Sequence, residues 1–232
     1  MQGPIDSRSS RVLVLVDFDG TLTESDGDFQ VADALLGPER QGAWKPLAEA
    51  YERLELSAAG YFTAWLDLLQ LERPMESITR AGAAIPLRAG ADALMDYCRQ
   101  RGLGVRIASE GLDAYVRPAL QAAGLSSVDL SCNRLVEHPD GCQVLSAIDA
   151  GPCSRCLSCK AFHVRRAREL GMRVIVVGDG ASDLCGARLA DVVIARGSLA
   201  EHCAREQIAY LPWQSLQDVV DAIGSSLEGD PA

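Results

Sequence analysis

The residues best suited to chemistry come first in the chain. The stretch VLVLVDFDGTLT, Val12 to Thr23, ends an apolar run on Asp17 and Asp19, with Gly20 directly after them. Two carboxylates this close raise each other's proton affinity, and burying them is costly unless a cation balances them. In a continuing strand their side chains would face opposite sides, but a turn at Gly20 lets both curl toward one point. One can then serve as nucleophile or metal ligand and the other as acid and base. The competing reading is an ordinary solvated loop at a strand end.

Three further groups share that character. In IASEG, Ser109 ends a second apolar run and Gly111 helps open the following helix, so that a hydroxyl and fresh amides suit a phosphate oxygen. Ser109 as a plain helix N-cap is the alternative. Lys160 begins the amphipathic segment KAFHVRRAREL, where its charge opposes the helix dipole, a misfit expected at working sites. In VIVVGDGASDLCGA, Asp179 ends a very apolar run and Asp183 follows at the opening of the next helix. Four such carboxylates in one place call for a hard divalent cation, Mg²⁺, with Lys160 balancing the excess.

The intervening segments supply the frame. RVLVLVDF, GVRIAS, RVIVVGDG and DVVIARG read as strands buried on both faces, alternating with helices over ADALMDYCRQRG, LDAYVRPALQAAG, AFHVRRARELG, ASDLCGARLA and SLQDVVDAIGSSL. The pattern predicts a doubly wound, mostly parallel α/β domain over 11–26 and 87–224. Between them, 27–86 recurs at helical spacing throughout and reads as a small helical insertion, while 1–10 and 225–232 read as loose tails. VDLSCNRLVEH is a short segment, and DGCQVLSAIDAGPCSRCLSCK reads as irregular. Open parallel sheets bind at the carboxyl ends of their strands, so Asp17, Ser109 and Asp179 are expected to meet.

DFDGTLT, IASEG, Lys160 and GDGASD, in that order, resemble the haloacid dehalogenase superfamily, whose members are chiefly Mg²⁺-dependent phosphatases. The resemblance implies that Asp17 is the nucleophile forming an aspartyl phosphate and that Asp19 is general acid, then base. It implies phosphate binding by Thr21, Ser109, Glu110, Gly111 and Lys160, with Asp17, Asp179 and the Asp19 carbonyl holding Mg²⁺ and Asp183 in support. Hydrolysis of a small phosphorylated metabolite is the expected activity. Phosphoryl transfer to an alcohol acceptor and non-catalytic binding of a phospho-ligand are the alternatives, and the paired carboxylates of DFDG disfavour halide removal.

The insertion resembles the helical cap of the phosphoserine-phosphatase-like branch, with Asp26 at the cap entrance where the serine-specific enzymes carry glutamate. For the arginine that receives the serine carboxylate only Arg53 and Arg73 are candidates, so a second branch fits better: the methionine-salvage phosphatase acting on a 2-hydroxy-3-keto-5-methylthiopentenyl phosphate. There the second motif commonly has two glycines after its serine, whereas here Glu110 replaces the first. Some phosphocholine and phosphoethanolamine phosphatases also carry cysteines before the motif lysine. Trp44, Tyr51, Tyr61, Phe62 and Trp65 are candidates for an apolar or cation-binding pocket, although the ordinary helical spacing of YFTAWLDLL favours a core position for most of them.

Composition bounds the rest. With 22 basic and 32 acidic residues the net charge is -10, which offers no general attraction for nucleic acid or anionic membrane. No run approaches the roughly 20 apolar residues of a membrane span, and MQGPIDSRSS lacks a signal-peptide core, so a cytoplasmic location is expected. Among eight cysteines, Cys153, Cys156 and Cys159 crowd the approach to Lys160. With Cys142 they form a candidate structural Zn²⁺ site, against free thiols or a redox disulfide. Cys98, Cys185 and Cys203 fall in helical patterns as small core residues, and His138, His163 and His202 show no ligand spacing. Nothing in the sequence indicates an oligomeric state.

Overall fold

The computed structural model describes residues 11–148 and 153–228. The expected tail 1–10, and 229–232 of the expected C-terminal tail, lie outside the described residues; 225–228 instead complete the last helix. Strand β1 (Val12–Val16) is followed by four helices, α1 (Gly27–Leu36), α2 (Lys45–Glu52), α3 (Ala58–Leu69) and α4 (Pro74–Gly82). Then come α5 (Ala91–Gln100), β2 (Gly104–Leu112), α6 (Asp113–Ala122), β3 (Asp129–His138) and β4 (Gly141–Leu145). The remainder is α7 (Lys160–Glu169), β5 (Arg173–Gly178), α8 (Leu184–Ala187), β6 (Val192–Ala195), α9 (Gly197–Glu206), β7 (Leu211–Pro212) and α10 (Leu216–Glu228).

The strands form one sheet ordered β4-β3-β2-β1-β5-β6-β7, with β1 parallel to both β2 and β5. The chain departs from β1 in two directions, which opens a crevice at the carboxyl tips. Both faces are covered, and this accounts for the uninterrupted apolar runs. Val14, Val16, Ile107, Ile175 and Val177 pack toward residues of α5, α6 and α10, while Leu13, Leu15, Val174 and Val176 pack against Val164 and Ala167 of α7. Each such side chain contributes about 1.5–3 kcal/mol.

Two local expectations are corrected. GCQVL of the segment read as irregular is strand β4, paired antiparallel with β3 from Arg134↔Leu145 to His138↔Gly141, because Pro139 and Asp140 form a two-residue turn that closes a tight hairpin. The helical spacing that runs throughout 27–86 is interrupted between α2, which ends at Glu52, and α3, which Ser57 starts afresh with its Oγ accepting from the Gly60 N–H at 3.2 Å. The helices α1–α4 lie over the crevice. The Ala58 N–H donates to the Arg155 carbonyl at 2.7 Å, the Ser198 hydroxyl to Glu52 at 2.7 Å and the Met75 N–H to Glu137 at 2.8 Å. Among the described residues, no helix is long and apolar enough to cross a membrane.

Candidate active site

Register brings the motifs together. Val16 lies opposite Ile107 of β2 and Val177 of β5, so Asp17 and Asp179 leave neighbouring strand tips; Ser109, expected to end its strand, instead lies within β2 at a register shift after Ala108, because that strand runs on to Leu112. The chain then turns at Gly20, where φ is 70° and a Cβ would stand 2.2 Å from Asp179 Oδ2. Only glycine allows both the turn and that approach. Thr21 Oγ1 donates to Asp179 Oδ1 at 2.7 Å, tying the first loop to the fourth motif.

Arg88, which no motif singled out, holds this turn from behind. Its Nε donates to the Thr21 carbonyl at 2.9 Å and its Nη2 to the Gly20 and Thr23 carbonyls at 3.0 and 2.8 Å. The guanidinium also lies over the Trp213 ring, 5.5 Å from its centroid.

Lys160 is 1% exposed, with Nζ 2.7 Å from Asp17 Oδ1, 3.3 Å from Ser182 Oγ and hydrogen bonded to Asp183. Asp183 also accepts from the Asp179 and Gly180 N–H groups, each at 3.1 Å. Burial works against the ammonium, but Asp17 and Asp183 more than offset it and raise its pKa above the ordinary lysine value. Burial, then repulsion from Asp183, pushes Asp17 well up while Lys160 opposes them; the same two causes push Asp179 up to about 7. One oxygen from each of Asp17, Asp179 and Asp183 lies within 4.8 Å of the others. Buried, mutually repelling carboxylate oxygens at this separation are a donor set suited to a hard divalent cation.

Asp19 turns away from this group. Its Oδ1 accepts from the Gly27 N–H at 2.7 Å, at the start of α1, and its Oδ2 from Ser109 Oγ at 3.2 Å and Tyr115 OH at 3.1 Å. Ser109 does not cap a helix, since α6 begins only at Asp113; its Oγ instead accepts from the Gly111 N–H at 2.8 Å. Burial raises the Asp19 pKa despite these three donors, in the direction a general acid requires.

Tyr115 escaped the sequence reading because its place in LDAYVRPAL is an ordinary apolar helical position. It is buried, and a Cβ on Gly111 would come within 2.3 Å of its hydroxyl. Tyr115→Phe deletes a donor that lowers the Asp19 pKa. The pH–rate limb belonging to Asp19 is expected to move up, with kcat reduced by about 3- to 10-fold for one lost hydrogen bond. A limb in its original position would show that Tyr115 does not set Asp19.

Glu110 borders the cavity over Asp17 and Asp19, but its carboxylate is engaged by the loop before Lys160. Its carboxylate accepts from the Leu157 and Ser158 N–H groups at 3.1 and 2.9 Å, bracing the loop before Lys160, and Ser158 Oγ donates to Asn133 Oδ1 at 2.6 Å. A charge that sequence alone sets beside the phosphate is thus occupied by backbone amides.

Above the tips is a cavity of about 420 Å³ reached by Asp26, Asp28, Tyr51, Tyr61, Phe62 and Arg196. Trp65 is core, fully buried, and Trp44 stacks on Phe29 with centroids 3.8 Å apart. Arg53 pairs with Glu49 and Glu55, and Arg73 with Glu76, on the exposed surface; neither lines the cavity. Asp26, immediately before α1, is pushed well up by burial and then by Asp28.

Burial, then Asp19, pushes Asp28 up to about 7, although it accepts from Tyr61 OH. A carboxylate raised in the folded state holds its proton while the unfolded chain loses it, so stability falls as pH rises from about 4 to about 7. Asp28→Asn is expected to flatten this fall, melting with wild type near pH 4 and above it at pH 8. Parallel melting curves against pH would assign the loss to other groups.

The cysteines also differ from expectation. Sγ atoms of Cys153, Cys156, Cys159 and Cys185 all lie within 4.8 Å of one another. Cys142, on β4, is not among them, because the hairpin carries it to a separate cavity lined by residues of α3, the α3–α4 connection and the start of α4. Cys185, expected in the core, takes the fourth corner from α8, while Cys98 and Cys203 are core residues. Part of the irregular segment, 149–152, lies outside the described residues.

The chain is 28% identical over 220 residues to a 2-hydroxy-3-keto-5-methylthiopentenyl-1-phosphate phosphatase of Brevibacillus brevis, covering 91% of this chain and 95% of that one. It is 29% identical over 218 residues to the protein of the same name from Exiguobacterium sibiricum, covering 90% and 95%. A solved phosphoserine phosphatase carrying a phospho-aspartyl intermediate analogue superposes with a TM-score of 0.70 at 21% identity, over 92% of this chain and 99% of the other. A substrate-bound phosphoserine phosphatase complex gives 0.70 at 20% identity, over 93% and 99%. Residues 14–188, from the first carboxylate loop through Lys160 to Asp183, match one family over most of the chain, and the protein belongs to the haloacid dehalogenase-like hydrolases.

Proposed function

We infer that the protein is a Mg²⁺-dependent phosphatase that hydrolyses a small-molecule phosphate monoester through an aspartyl phosphate on Asp17. The observation that carries this reading is the buried Lys160 ammonium between Asp17 and Asp183, with Asp179 after the adjoining tip of β5 and Ser109 at the register shift of β2. Asp17, Asp179 and the Asp19 carbonyl would hold Mg²⁺, with Asp183 in support; when bound, the ion neutralises phosphoryl oxygens and so reduces the repulsion between two anions.

The protein's own groups do the remainder. Lys160 keeps the Asp17 carboxylate in place and is a donor for the phosphoryl oxygens, as are the Ser109 hydroxyl and the Gly111 N–H when substrate replaces Asp19 and Ser109 Oγ as their acceptors. An Asp17 oxygen attacks phosphorus in line with the ester oxygen, whose bond to phosphorus breaks. Asp19 gives that oxygen its proton, and the alcohol leaves. The ionised Asp19 then takes a proton from water, which attacks the phosphorus of the aspartyl phosphate and returns Asp17 with release of inorganic phosphate. Helices α1–α4 exclude bulk water from both steps.

The relatives' names make 2-hydroxy-3-keto-5-methylthiopentenyl 1-phosphate the first substrate to try. The cavity agrees with a leaving group that carries no carboxylate. Burial raises Asp26 and Asp28 in its walls and so removes much of their charge, while Glu49 and Glu52 accompany Arg196 and leave no surplus of positive charge to receive an additional anion. The test is phosphate release from p-nitrophenyl phosphate and from a panel of that substrate, phosphocholine, phosphoethanolamine, sugar phosphates and phosphoserine. Hydrolysis should vanish with a chelator and return with Mg²⁺, and phosphoserine should be the poorest of the panel by about 10-fold or more. Failure of every monoester in the presence of Mg²⁺ would overturn the reading; ester formation with an added alcohol would instead establish phosphoryl transfer.

A further inference from the structure

The thiol cluster lies next to the reaction residues but none of its members takes part in the chemistry derived above. Cys153, Cys156 and Cys159 come from the loop that runs directly into Lys160, the first residue of α7. Cys185 comes from α8, two residues past Asp183. The cluster therefore joins the two segments that supply the Lys160–Asp183 contact.

Several features of the cluster bear on its chemistry. Cys153 and Cys185 Sγ atoms are 3.9 Å apart, and all six pairs fall within 4.8 Å. A tetrahedron of sulfurs about 2.3 Å from a central zinc has edges of about 3.8 Å. A disulfide requires about 2.05 Å, and all four cysteines are free. The Cys159 sulfur, at the start of α7, lies within 4.8 Å of those of Cys156 and Cys185, and the Ala161 N–H follows it in the first turn of that helix. Donation from a backbone amide is the support a metal thiolate receives from its surroundings. Cysteines serving only as small apolar fillers would have no reason to converge sulfur to sulfur from two distant segments.

The loop's two sides are held differently. Toward β2 and β3 it is fixed by the Glu110 carboxylate and Asn133, which bind the backbone and hydroxyl of residues 157 and 158. Toward α8 the contact is sulfur to sulfur. We propose that Cys153, Cys156, Cys159 and Cys185 form a structural zinc site that locks the loop before Lys160 to the helix after Asp183. Its role is positional: the ion is closed off by four protein ligands and touches no substrate. Four thiolates at tetrahedral spacing select zinc or iron over the hard cation suited to the carboxylates, so the two sites take different metals.

The experiment is elemental analysis of the full-length protein purified without chelator under reducing conditions. About one zinc per chain is expected. Cys185→Ser and Cys156→Ser should each lose most of it, whereas Cys142→Ser should retain it. Cobalt substituted into the wild-type protein should show intense thiolate-to-metal charge transfer and the visible bands of a tetrahedral site, a readout independent of phosphatase activity and of the folding of any variant. Wild-type protein without zinc, iron in its place, zinc retained at full stoichiometry in Cys185→Ser, or cobalt spectra without thiolate bands would each overturn the proposal. These readouts stand or fall separately from the assay for phosphate release.

Discussion

Asp17→Asn is expected to abolish turnover, with kcat falling on the order of 10⁴-fold or more, because no other group can take the covalent role. The amide differs from the carboxylate by one heteroatom, so the fold should survive. Its effect on stability should even be favourable in the absence of metal: burial and Asp183 already push Asp17 well up, and the variant deletes that penalty. The accompanying loss is the contact of Asp17 Oδ1 with Lys160 at 2.7 Å, which an amide oxygen can still accept. Acid-quenched reactions with ³²P-labelled substrate should trap label on the wild-type protein and none on Asp17→Asn. Label of wild-type intensity on the variant would move the nucleophile elsewhere.

Lys160→Met should damage both fold and activity. The ammonium is buried beside Asp17 and Asp183, so its removal leaves carboxylates without their counter-charge in a site closed to water. Breaking a buried pair in this way costs about 3–5 kcal/mol, read as a lower urea midpoint in metal-free protein. Added Mg²⁺ should recover part of that loss, since a cation bound by the same carboxylates restores some of the charge balance. Activity should not recover with it. One buried donor to the phosphoryl oxygens is worth about 10²–10³ in kcat. A variant that melts with wild type, or hydrolyses substrate within about 10-fold of it, would remove Lys160 from the centre of the site.

The chain by itself determines the strand tips and the order in which they carry their charges. DFDG, IASEG and GDGASD are local patterns, each an apolar run ending at a polar residue beside a glycine, and the misplacement of Lys160 against a helix dipole is equally local. Parallel sheet register then brings Asp17 and Asp179 together with no further information than strand order. The helical character of 27–86 follows from periodicity in the same way.

Tertiary structure alone decided what depends on partners far along the chain. Glu110 braces a loop 47 residues away, and Tyr115 reaches Asp19 across 96 positions. Arg88 clamps the Gly20 turn, and Cys185 replaces Cys142 at the fourth corner of the thiol cluster. The physical reason is one of range. Covalent neighbours dictate turn, strand end and helix start within a few residues, whereas a side chain's hydrogen bonds and charges are settled by whichever groups the packed sheet and its loops carry within a few ångströms.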